Sequence, residues 1–507
     1  MRPIVPIALQ QPICNSATPN TSPQKTKKRE PVSSWGVAGV IRPASCGQTT
    51  DAMPRDRQTH GIEMKDLTRN SITRHIVVLA APLVVSMITQ IGYQLVDLYF
   101  VARISVQAAA GVNAAASAIL AIAALTQVLG VGTTALVAQA AGRGRPTQAN
   151  RVFNQALLLA LLVGFLATVL LYSLAGLYLR SIAADQATIA AGAEFLNWVA
   201  PGYALFFPWI AISSALRGTG VVRPTVVIYM FTVVVNALLA PVLIAGVGSG
   251  NPLGVKGAGL ATTVSIALGT LVLLFYAQRR QKYLSISSAC MKPRLQIWGQ
   301  IFNIGLPVGV ELALTFVSSA VIYYAIRNFG PAAQAGFGIG SRVQQTILLP
   351  GMAIAFAAGP VAGQNFGANK TDRVKETFRT AALMTTAAML ATTVLVQWNP
   401  TSVLAVFDVD DSTSSVAVTF LEVMSWAFVA QGLVYTCSTM LQSIGNTIPS
   451  LVSAGIRFLV FTIPTLWMSV RPAFRLEHVL YLSTLATLIQ ATLSLWLLHQ
   501  EFKRRLA

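Results

Sequence analysis

The chain has 507 residues, of which 54% are hydrophobic and only 10% are charged, and its formal net charge is +19. Soluble globular proteins carry about 25% charged residues, so little of this chain is expected to lie outside a lipid bilayer. The basic residues stand singly or in small groups between apolar runs. This spacing argues against a nucleic-acid-binding protein, which would carry a continuous basic patch or stripe.

The segment before Met64 differs from everything that follows. It is rich in Pro, Ser, Thr and Gln, and prolines interrupt its short apolar run. Such a segment buries too little apolar surface to offset its loss of conformational entropy, so residues 1–63 are predicted to be a disordered tail rather than a signal peptide. Met64 offers an alternative start. The tail is therefore either a cytoplasmic extension or the product of an incorrectly assigned start site.

From Arg74 onward, apolar stretches alternate with short polar breaks. An α-helix needs about 20 apolar residues to cross the hydrocarbon core of a bilayer. The pattern predicts an all-α polytopic membrane protein with twelve transmembrane helices, at residues 75–101, 107–140, 152–179, 188–216, 223–246, 256–278, 299–326, 332–362, 376–398, 414–441, 449–469 and 477–499.

The loops on the two sides of these helices differ in charge. Lys and Arg accumulate in the short cytoplasmic loops of membrane proteins. The loops after the second, fourth, sixth and eighth helices contain 14 Lys and Arg residues. The opposite loops contain only Arg103, Arg180, Lys256, Arg327, Arg471 and Arg475. We therefore expect a multi-pass protein of the plasma (bacterial inner) membrane with both termini in the cytoplasm.

The two halves of the membrane region repeat each other with one constant offset in residue number. This repeat offset pairs Pro82 with Pro307, Gln139 with Gln364, Gly142 with Gly367, Gly220 with Gly445 and Pro224 with Pro449. Chance similarity between apolar helices would not keep this register, so it predicts a gene duplication. Each half has six spans, so both would insert in the same orientation, as parallel repeats. The predicted domains are six-helix bundles at 64–297 and 298–507, related by a pseudo-two-fold axis, which is typical of transporters.

The first predicted helix carries a carboxylate, Asp97, inside an apolar stretch. A charge at the bilayer centre costs at least about 2.5–3.5 kcal/mol on insertion scales, so such a residue indicates a function. Gln90 and Tyr93 lie seven and four residues earlier on the same helical face. Because burial favours the neutral carboxyl and a bound cation favours the carboxylate, Asp97 could exchange H⁺ or Na⁺; the alternative is a neutral structural carboxyl. Pro82 removes a backbone hydrogen bond and could be a hinge that moves the polar strip formed by Gln90, Tyr93 and Asp97.

Glu311, in the seventh predicted helix, is the second deep carboxylate. It could be a second coupling group, contact a cation, or pair with an arginine. Arg342 and Arg457 also fall within predicted spans, where we expect them to neutralise a carboxylate or fix packing. The repeat-mates of Asp97 and Glu311 are uncharged, so the polar site is expected to be asymmetric.

Other kinds of chemistry are not indicated. No GxxxxGK[ST] motif is present, so nothing supports ATP hydrolysis. The cysteines form no CxxC pair, which argues against a thiolate metal site or a disulfide framework. A membrane-embedded enzyme would need a cluster of ionisable residues, and two separated carboxylates do not supply one. We therefore expect a non-enzymatic protein without a cofactor or a structural metal ion, with H⁺ or Na⁺ as its coupling ion.

Several motifs together resemble the multidrug and toxic compound extrusion (MATE) family, in its prokaryotic branch, across about residues 66–500. The first helix resembles the family's LAxP…Q…VD…VGR pattern, with Ala102 where Gly is usual. Further motifs similar to those of the family are Leu216-Arg217-Gly218-Thr219-Gly220 with Pro224, Gly338-Ile339-Gly340-Ser341-Arg342, and Gly363-Gln364-Asn365-Phe366-Gly367-Ala368.

The resemblance implies export of amphipathic, often cationic compounds in exchange for H⁺ or Na⁺. It places the ion site at Asp97, with Gln90 and Tyr93 beside it, and adds Asn236 and Thr262. The family often has NxxLDP on the fifth helix, whereas this chain has Ala240 at the Asp position. A paired carboxylate is therefore missing, and a single carboxylate favours H⁺ over Na⁺.

The expected mechanism is alternating access, in which protonation of Asp97 bends the first helix at Pro82 and releases the substrate. The main alternative is a flippase for lipid-linked oligosaccharides or other lipids, since related exporters share the two-bundle fold. A flippase of anionic lipid carriers should line its cavity with several Arg or Lys residues, and deep cations are few here. The expected partners are amphipathic, cationic small molecules and the lipid bilayer, and the protein is expected to be a monomer.

Overall fold

The structure is a computed structural model that describes residues 65–182, 185–248, 250–280, 284–287, 290–404 and 410–506. Within these ranges it does not describe the side chains of Gln94, Leu95, Asp97, Leu98, Leu120, Ala121 and Ile182. The predicted tail at residues 1–63 and its alternative start at Met64 lie outside the described residues.

The described residues form α-helices joined by short connections, and no β-strand is found among them. Their bounds are α1 Ile72–Ala102, α2 Val106–Gly142, α3 Pro146–Ile182, α4 Gln186–Gly218, α5 Arg223–Ile244, α6 Val255–Arg280, α7 Leu295–Ile326, α8 Pro331–Gly367, α9 Thr371–Trp398, α10 Pro400–Leu404, α11 Asp411–Met424, α12 Phe428–Ser443, α13 Ile448–Ser469 and α14 Leu476–Arg505.

Among the described residues, twelve segments are long and apolar enough to cross a membrane, which confirms the predicted number of spans. The tenth span comprises α11 and α12, joined by a single 3₁₀ turn at Ser425–Ala427. Side chains of α9 form hydrogen bonds with Ser425, the first residue of this turn. Gln397 donates to the Ser425 hydroxyl at 2.7 Å, and Thr393 donates to the Ser425 carbonyl oxygen at 3.1 Å. A break inside the bilayer region is tolerated when neighbouring helices satisfy the backbone in this way.

The two halves repeat in backbone detail as well as in sequence. Gly220 and Gly445, which follow α4 and α12, have φ of +78° and +80°. Gly144 and Asn369, which follow α2 and α8, have φ of +65° and +57°. Both pairs are separated by the repeat offset. Left-handed backbone is uncommon outside glycine, so its recurrence at matched positions supports the inferred duplication.

The helix starts repeat in the same way. The side chain of Asp185 accepts a hydrogen bond from the backbone N–H of Thr188 at 2.7 Å and caps α4. Asp410, its repeat-mate, accepts one from the backbone N–H of Thr413 at 3.1 Å and caps α11. An aspartate at this position satisfies N–H groups that have no partner within the helix.

The connection between the halves is fastened to the N-terminal half by α3. The fully buried Gln155 donates to the carbonyl oxygens of Cys290 and Lys292 at 2.6 and 2.8 Å, and accepts from the N–H of Arg294 at 2.8 Å. Asn154, also fully buried, donates to the carbonyl oxygen of Ser285 at 2.9 Å. These two amides hold the chain just before α7 begins at Leu295.

The halves meet through α1 and α2 of the first half and α7 and α8 of the second. Small residues let these helices approach closely. A Cβ atom on Gly132 or Gly305 would overlap backbone of the opposing helix, at Ile301 and Val128 respectively. Membrane helices pack through such small residues because burial of apolar area gains little when the solvent is lipid.

Candidate functional site

The polar site of the N-terminal half joins α1 and α5. The side chain of Asn236 is fully buried, and its Nδ2 donates a hydrogen bond to the hydroxyl of Tyr93 at 3.2 Å. Its Oδ1 accepts no hydrogen bond within the described part of the chain. A buried carbonyl oxygen without a donor costs about 1–3 kcal/mol, so this oxygen is an open acceptor for a proton donor or a cation.

The other predicted members of this site lie on α1 and α6. Asp97 follows Tyr93 by one helical turn, and its side chain is outside the described residues. Gln90 is one turn before Tyr93 and is exposed. Thr262 is buried on α6, which packs against α5, and its Oγ1 donates to the carbonyl oxygen of Ala258 at 3.1 Å. The structure thus brings Tyr93 and Asn236 into contact.

Ala240 lies one turn after Asn236 on α5 and is completely buried. It belongs to an apolar cluster that also contains Val101 of α1 and Ile244 of α5. The position at which the MATE resemblance would place a second carboxylate is therefore surrounded by hydrocarbon. An ionised group at such a position would need a bound cation or another partner.

Pro82, the predicted hinge, lies within α1, which continues through it from Ile72 to Ala102. Its neighbours Leu79 and Leu83 belong to an apolar cluster with Ala353 and Ala357 of α8. Pro82 therefore lies where α1 of the first half is packed against the second half. A change of helix angle at this point would move the outer part of α1 relative to that contact.

Glu311 lies at the middle of α7 and lines a cavity of about 430 Å³ within the C-terminal half. Its Oε2 accepts a hydrogen bond from the hydroxyl of Ser450 at 2.9 Å. The hydroxyls of Ser450 and Ser438 lie 2.8 Å apart, so a short chain of hydroxyl groups leads to the carboxylate. Arg457 lines the same cavity, whereas Arg342 does not.

Hydrogen bonds between the halves cluster at the end of the molecule that the loop charges assign to the cytoplasm. Gln139 of α2 donates from Nε2 to the carbonyl oxygen of Ser443 at 2.9 Å. Gln364 of α8 donates from Nε2 to the carbonyl oxygen of Gly218 at 3.1 Å. Each glutamine lies in one half and its acceptor in the other. We call these four residues the glutamine gate.

Glycines next to the glutamine gate allow the backbones to meet. A Cβ atom on Gly142 would overlap the carbonyl oxygen of Gln364, and a Cβ atom on Gly367 would overlap that of Gln139. The sequence repeat had paired the two glutamines and the two glycines, but their role was not predicted. The signal in the sequence that could have indicated this role was a polar glutamine close to a glycine, with both residues repeated in the two halves.

The segment before α1 adds further bonds on the same side. The backbone N–H of Leu67 donates to Oε1 of Gln364 at 3.0 Å, and Asn365 donates to the carbonyl oxygen of Leu67 at 3.2 Å. Lys370 donates to the carbonyl oxygen of Thr68 at 2.9 Å. Access between the halves is closed on this side by backbone contacts and by buried hydrogen bonds.

No metal site is apparent in the part of the chain that the structure describes, where no group of three or more His, Cys, Asp or Glu residues could hold an ion. Glu194 pairs with Lys256 at 3.4 Å, and both side chains are exposed.

Comparisons with known proteins agree with this architecture. The model of the MatE family matches residues 82–242 and 307–468, one match in each half of the chain. The matched segments begin at Pro82 and Pro307, the first pair of the sequence repeat.

Two relatives illustrate the similarity in sequence. The probable multidrug resistance protein YoeA of Bacillus subtilis (strain 168) is 24% identical over 76% of this chain and 84% of its own length. The FAD transporter of Shewanella oneidensis is 22% identical over 79% of this chain and 89% of its own length.

The fold is shared with a solved multidrug resistance MATE family transporter of the MOP superfamily that is described as outward-facing. Its TM-score is 0.80 at 21% sequence identity, and the similarity covers 87% of this chain and 98% of that one. At this level of identity the likeness concerns the arrangement of the helices.

Proposed function

This chain belongs to the MATE family, whose members are membrane transporters rather than enzymes, and we propose that it exports amphipathic organic cations in exchange for H⁺ by alternating access. The protein acts as a monomer in the bacterial inner membrane, with both termini in the cytoplasm. The coupling site is the polar strip of the N-terminal half, built around Asp97 with Tyr93, Asn236 and Thr262, and Gln90 lies at its exposed edge.

The single observation that carries the proposal is the open acceptor at Asn236. Its buried Oδ1 has no donor among the described residues, while its Nδ2 is engaged by Tyr93 at 3.2 Å. Asp97 follows Tyr93 by one turn of α1, so it shares the face that meets α5. A protonated carboxyl can donate to such an oxygen, and an ionised carboxylate cannot. The strip is therefore suited to a group that gains and loses one proton.

The surroundings of Ala240 favour H⁺ over Na⁺ as the coupling ion. Na⁺ binds well where several oxygen ligands and more than one negative charge converge, as hard cations do. In this chain the second position holds a buried methyl group within an apolar cluster. A lone carboxylate in an apolar site is more readily neutralised by a proton than by a metal ion that needs several ligands.

The glutamine gate supplies the closed side of an alternating-access cycle. Gln139 and Gln364 bond across the halves at the end that we assign to the cytoplasm. This arrangement corresponds to an outward-facing state, the state described for the solved relative. When the protein returns to the inward-facing state, both of these hydrogen bonds between the halves must break together. Substrate then enters from the cytoplasm or the inner leaflet.

Proton binding and substrate release are linked through α1. The helix carries Asp97 in its outer part and meets α8 near Pro82. Protonation of Asp97 from outside removes a charge and its attraction for a cationic substrate, and a bend at Pro82 narrows the space between the halves. Deprotonation towards the cytoplasm restores the cation-binding state. The names of relatives such as YoeA, given as multidrug resistance proteins, support substrates of this class.

The test is transport of the methyl ester of tetramethylrhodamine, a fluorescent organic cation, into proteoliposomes under separately imposed pH and Na⁺ gradients. Wild type, Asp97→Asn and Glu194→Gln are compared. Glu194 is an exposed carboxylate paired with Lys256, so its replacement removes the same charge away from the membrane centre. We expect flux driven by the pH gradient in wild type and Glu194→Gln, and loss of that flux in Asp97→Asn.

Flux that follows only the Na⁺ gradient would reject proton coupling. Unchanged pH dependence in Asp97→Asn would reject this residue as the coupling group. Flux under neither gradient would reject the antiporter and favour the alternative function, a flippase for lipid-linked oligosaccharides or other lipids, which is then tested with lipid-linked substrates.

A further inference from the structure

The cavity of the C-terminal half contains a guanidinium group that has no ion-pair partner among the described residues. Arg457 on α13 is half-buried and lines this cavity. None of the ion pairs within 4.0 Å in the described part of the chain involves it. A guanidinium has five N–H donors and no acceptor. A cation removed from bulk water is costly unless its donors are used, so the cavity offers these donors to a ligand.

The opposite charge of the cavity is already held in place. Glu311 accepts a hydrogen bond from Ser450 at 2.9 Å, on a carboxylate oxygen that is fixed by the hydroxyl chain to Ser438. Arg457 lines the same cavity and forms no ion pair with Glu311 among the described residues. The cavity therefore presents two groups of opposite charge that do not neutralise each other by direct contact.

A third polar group points to an organic ligand rather than to a bare ion. Gln490 on α14 is only 2% exposed and lines the cavity, and its Oε1 has no donor among the described residues. The volume of about 430 Å³ lies within the range of about 300–1,000 Å³ that small-molecule sites occupy.

Aromatic side chains form an apolar part of the wall. The rings of Tyr323 and Phe337 lie 5.4 Å apart edge to face, and those of Phe337 and Phe420 lie 5.2 Å apart in the same geometry. All three residues line the cavity. Aromatic walls with a few converging polar groups are suited to a planar, amphipathic ring system.

We propose that this cavity is a binding site for amphipathic zwitterions, in which Arg457 binds the carboxylate of the ligand and Glu311 faces its cationic group. Arginine is well suited to this role because its planar fork can donate two parallel hydrogen bonds to one carboxylate. The inference rests on the proposed export function and deepens it, because it adds molecules with a free carboxylate to the substrate class of organic cations.

The test uses two dyes that differ in one group, tetramethylrhodamine, which carries a free carboxylate, and its methyl ester, which does not. Binding of each dye to the purified full-length protein in detergent is followed by fluorescence anisotropy. The variants are Arg457→Gln, Arg457→Lys and Arg342→Gln. Arg342 also lies within a membrane-spanning helix but does not line the cavity, so it controls for loss of an intramembrane arginine.

We expect Arg457→Gln to weaken binding of the carboxylate dye about tenfold or more, as for loss of a charge-assisted hydrogen bond, and to leave binding of the ester within about twofold. Arg457→Lys should show a smaller loss for the carboxylate dye, because the charge remains but the fork does not. This variant carries the test if Arg457→Gln does not fold. Arg342→Gln should bind both dyes as wild type does.

Equal losses for the two dyes would overturn the proposal and assign Arg457 a purely structural role, and so would the absence of any loss. This binding assay needs no ion gradient. Its failure is therefore distinguishable from failure of the proposed antiport, which would appear as the absence of gradient-driven flux of the ester in wild type.

Discussion

Gln139 and Gln364 make the same hydrogen bond in opposite directions across the two halves of the protein. The first donates to the carbonyl oxygen of Ser443 at 2.9 Å and the second to that of Gly218 at 3.1 Å. The two donors are repeat-mates, and so are the two acceptors. The duplication thus produced two equivalent hydrogen bonds, those of the glutamine gate, at one end of the molecule. A transporter that must open this end has to release both together.

The first prediction concerns the glycines that let this gate close. Gly142→Ala adds a Cβ atom that would overlap the carbonyl oxygen of Gln364, and backbone cannot move aside as a flexible side chain can. We expect the closed state to lose population and pH-driven flux to fall several-fold. Spin labels are attached at Arg145→Cys, an exposed position just after α2, and at Asp372→Cys, an exposed position in the first turn of α9. The distance between them, measured by double electron–electron resonance, should then be longer than in the protein with Gly142.

Gly176→Ala is the matched control for this substitution. Gly176 lies within α3, and a Cβ atom there meets no atom within 4 Å. It makes the same chemical change without touching the gate, and should leave the distance and the flux unchanged. If Gly142→Ala behaves in the same way as Gly176→Ala, the gate does not depend on close backbone contact.

The sequence predicted the number of spans and the repeat because both depend on local features. A run of about 20 apolar residues is sufficient to predict a span. A register of Pro, Gln and Gly is sufficient to predict a duplication, and the matched left-handed residues Gly220 and Gly445 agree with it. The 3₁₀ turn at Ser425–Ala427 was not predicted, since its polar groups are satisfied by α9 and its own sequence carries no proline or glycine.

The cavity of the C-terminal half could not be predicted in this way. Glu311 and Arg457 were identified because ionisable residues are rare in apolar helices. Their surroundings depend on helices that are far apart in sequence. Ser450, which bonds to Glu311, lies 139 residues later, and Gln490 comes from the last helix. The contact between Tyr93 and Asn236 was expected only from the family resemblance, because nothing in either helix alone pairs them.

The second prediction concerns the connection between the halves. Gln155→Leu removes three hydrogen bonds to the backbone of Cys290, Lys292 and Arg294. Each backbone group that stays buried without a partner costs about 1–3 kcal/mol, so we expect the connection to detach from α3. Trypsin should then cleave after Arg294 faster than in wild type, and the melting temperature should fall.

Ser173→Ala provides the comparison on the same helix. Its hydroxyl donates only within α3, to the carbonyl oxygen of Val169 at 2.9 Å. Cleavage in this variant should match wild type. Equal cleavage rates for Gln155→Leu and Ser173→Ala would show that the connection is held by something other than this amide.

The third prediction is a pH dependence at the helix start of α11. Hydrogen bonds from Ser412 and Thr413 lower the pKa of Asp410 to about 2, from its ordinary value of 3.8. A carboxyl group with a depressed pKa stabilises the folded state above its unfolded value, and this contribution is lost as the pH falls towards the folded value. We therefore expect an acid-induced loss of thermal stability between pH 3.8 and about 2 to which Asp410 contributes.

The measurement is the melting temperature in detergent as a function of pH. Asp410→Asn keeps a capping side chain but cannot titrate, so its melting temperature should fall less steeply at acid pH than that of wild type. Ser412→Ala keeps the carboxylate but removes the hydrogen bond that lowers its pKa most, so the loss should be smaller and should end at a higher pH than in wild type. The same fall of the melting temperature at acid pH in all three proteins would contradict a contribution from Asp410.

The fourth prediction is that the coupling ion can be changed at Ala240. This residue is one turn from Asn236 and is completely buried among apolar side chains. Ala240→Asp would put a second carboxylate near the open oxygen of Asn236, on the face of α5 that meets α1. Two carboxylates that share a site repel each other unless a cation lies between them, and oxygen ligands of this kind bind Na⁺.

Ala240→Asp should therefore gain a melting temperature that rises with Na⁺ concentration, because a ligand that binds only the folded state stabilises it by mass action. It should also show flux of the organic cation under a Na⁺ gradient, which we expect to be absent in wild type. Ala240→Asn has nearly the same volume without the charge, and should show neither effect. A wild-type protein that already responds to Na⁺ would contradict this prediction together with proton coupling. An Ala240→Asp protein that folds but responds to Na⁺ no more than Ala240→Asn would show that the second carboxylate does not determine the coupling ion.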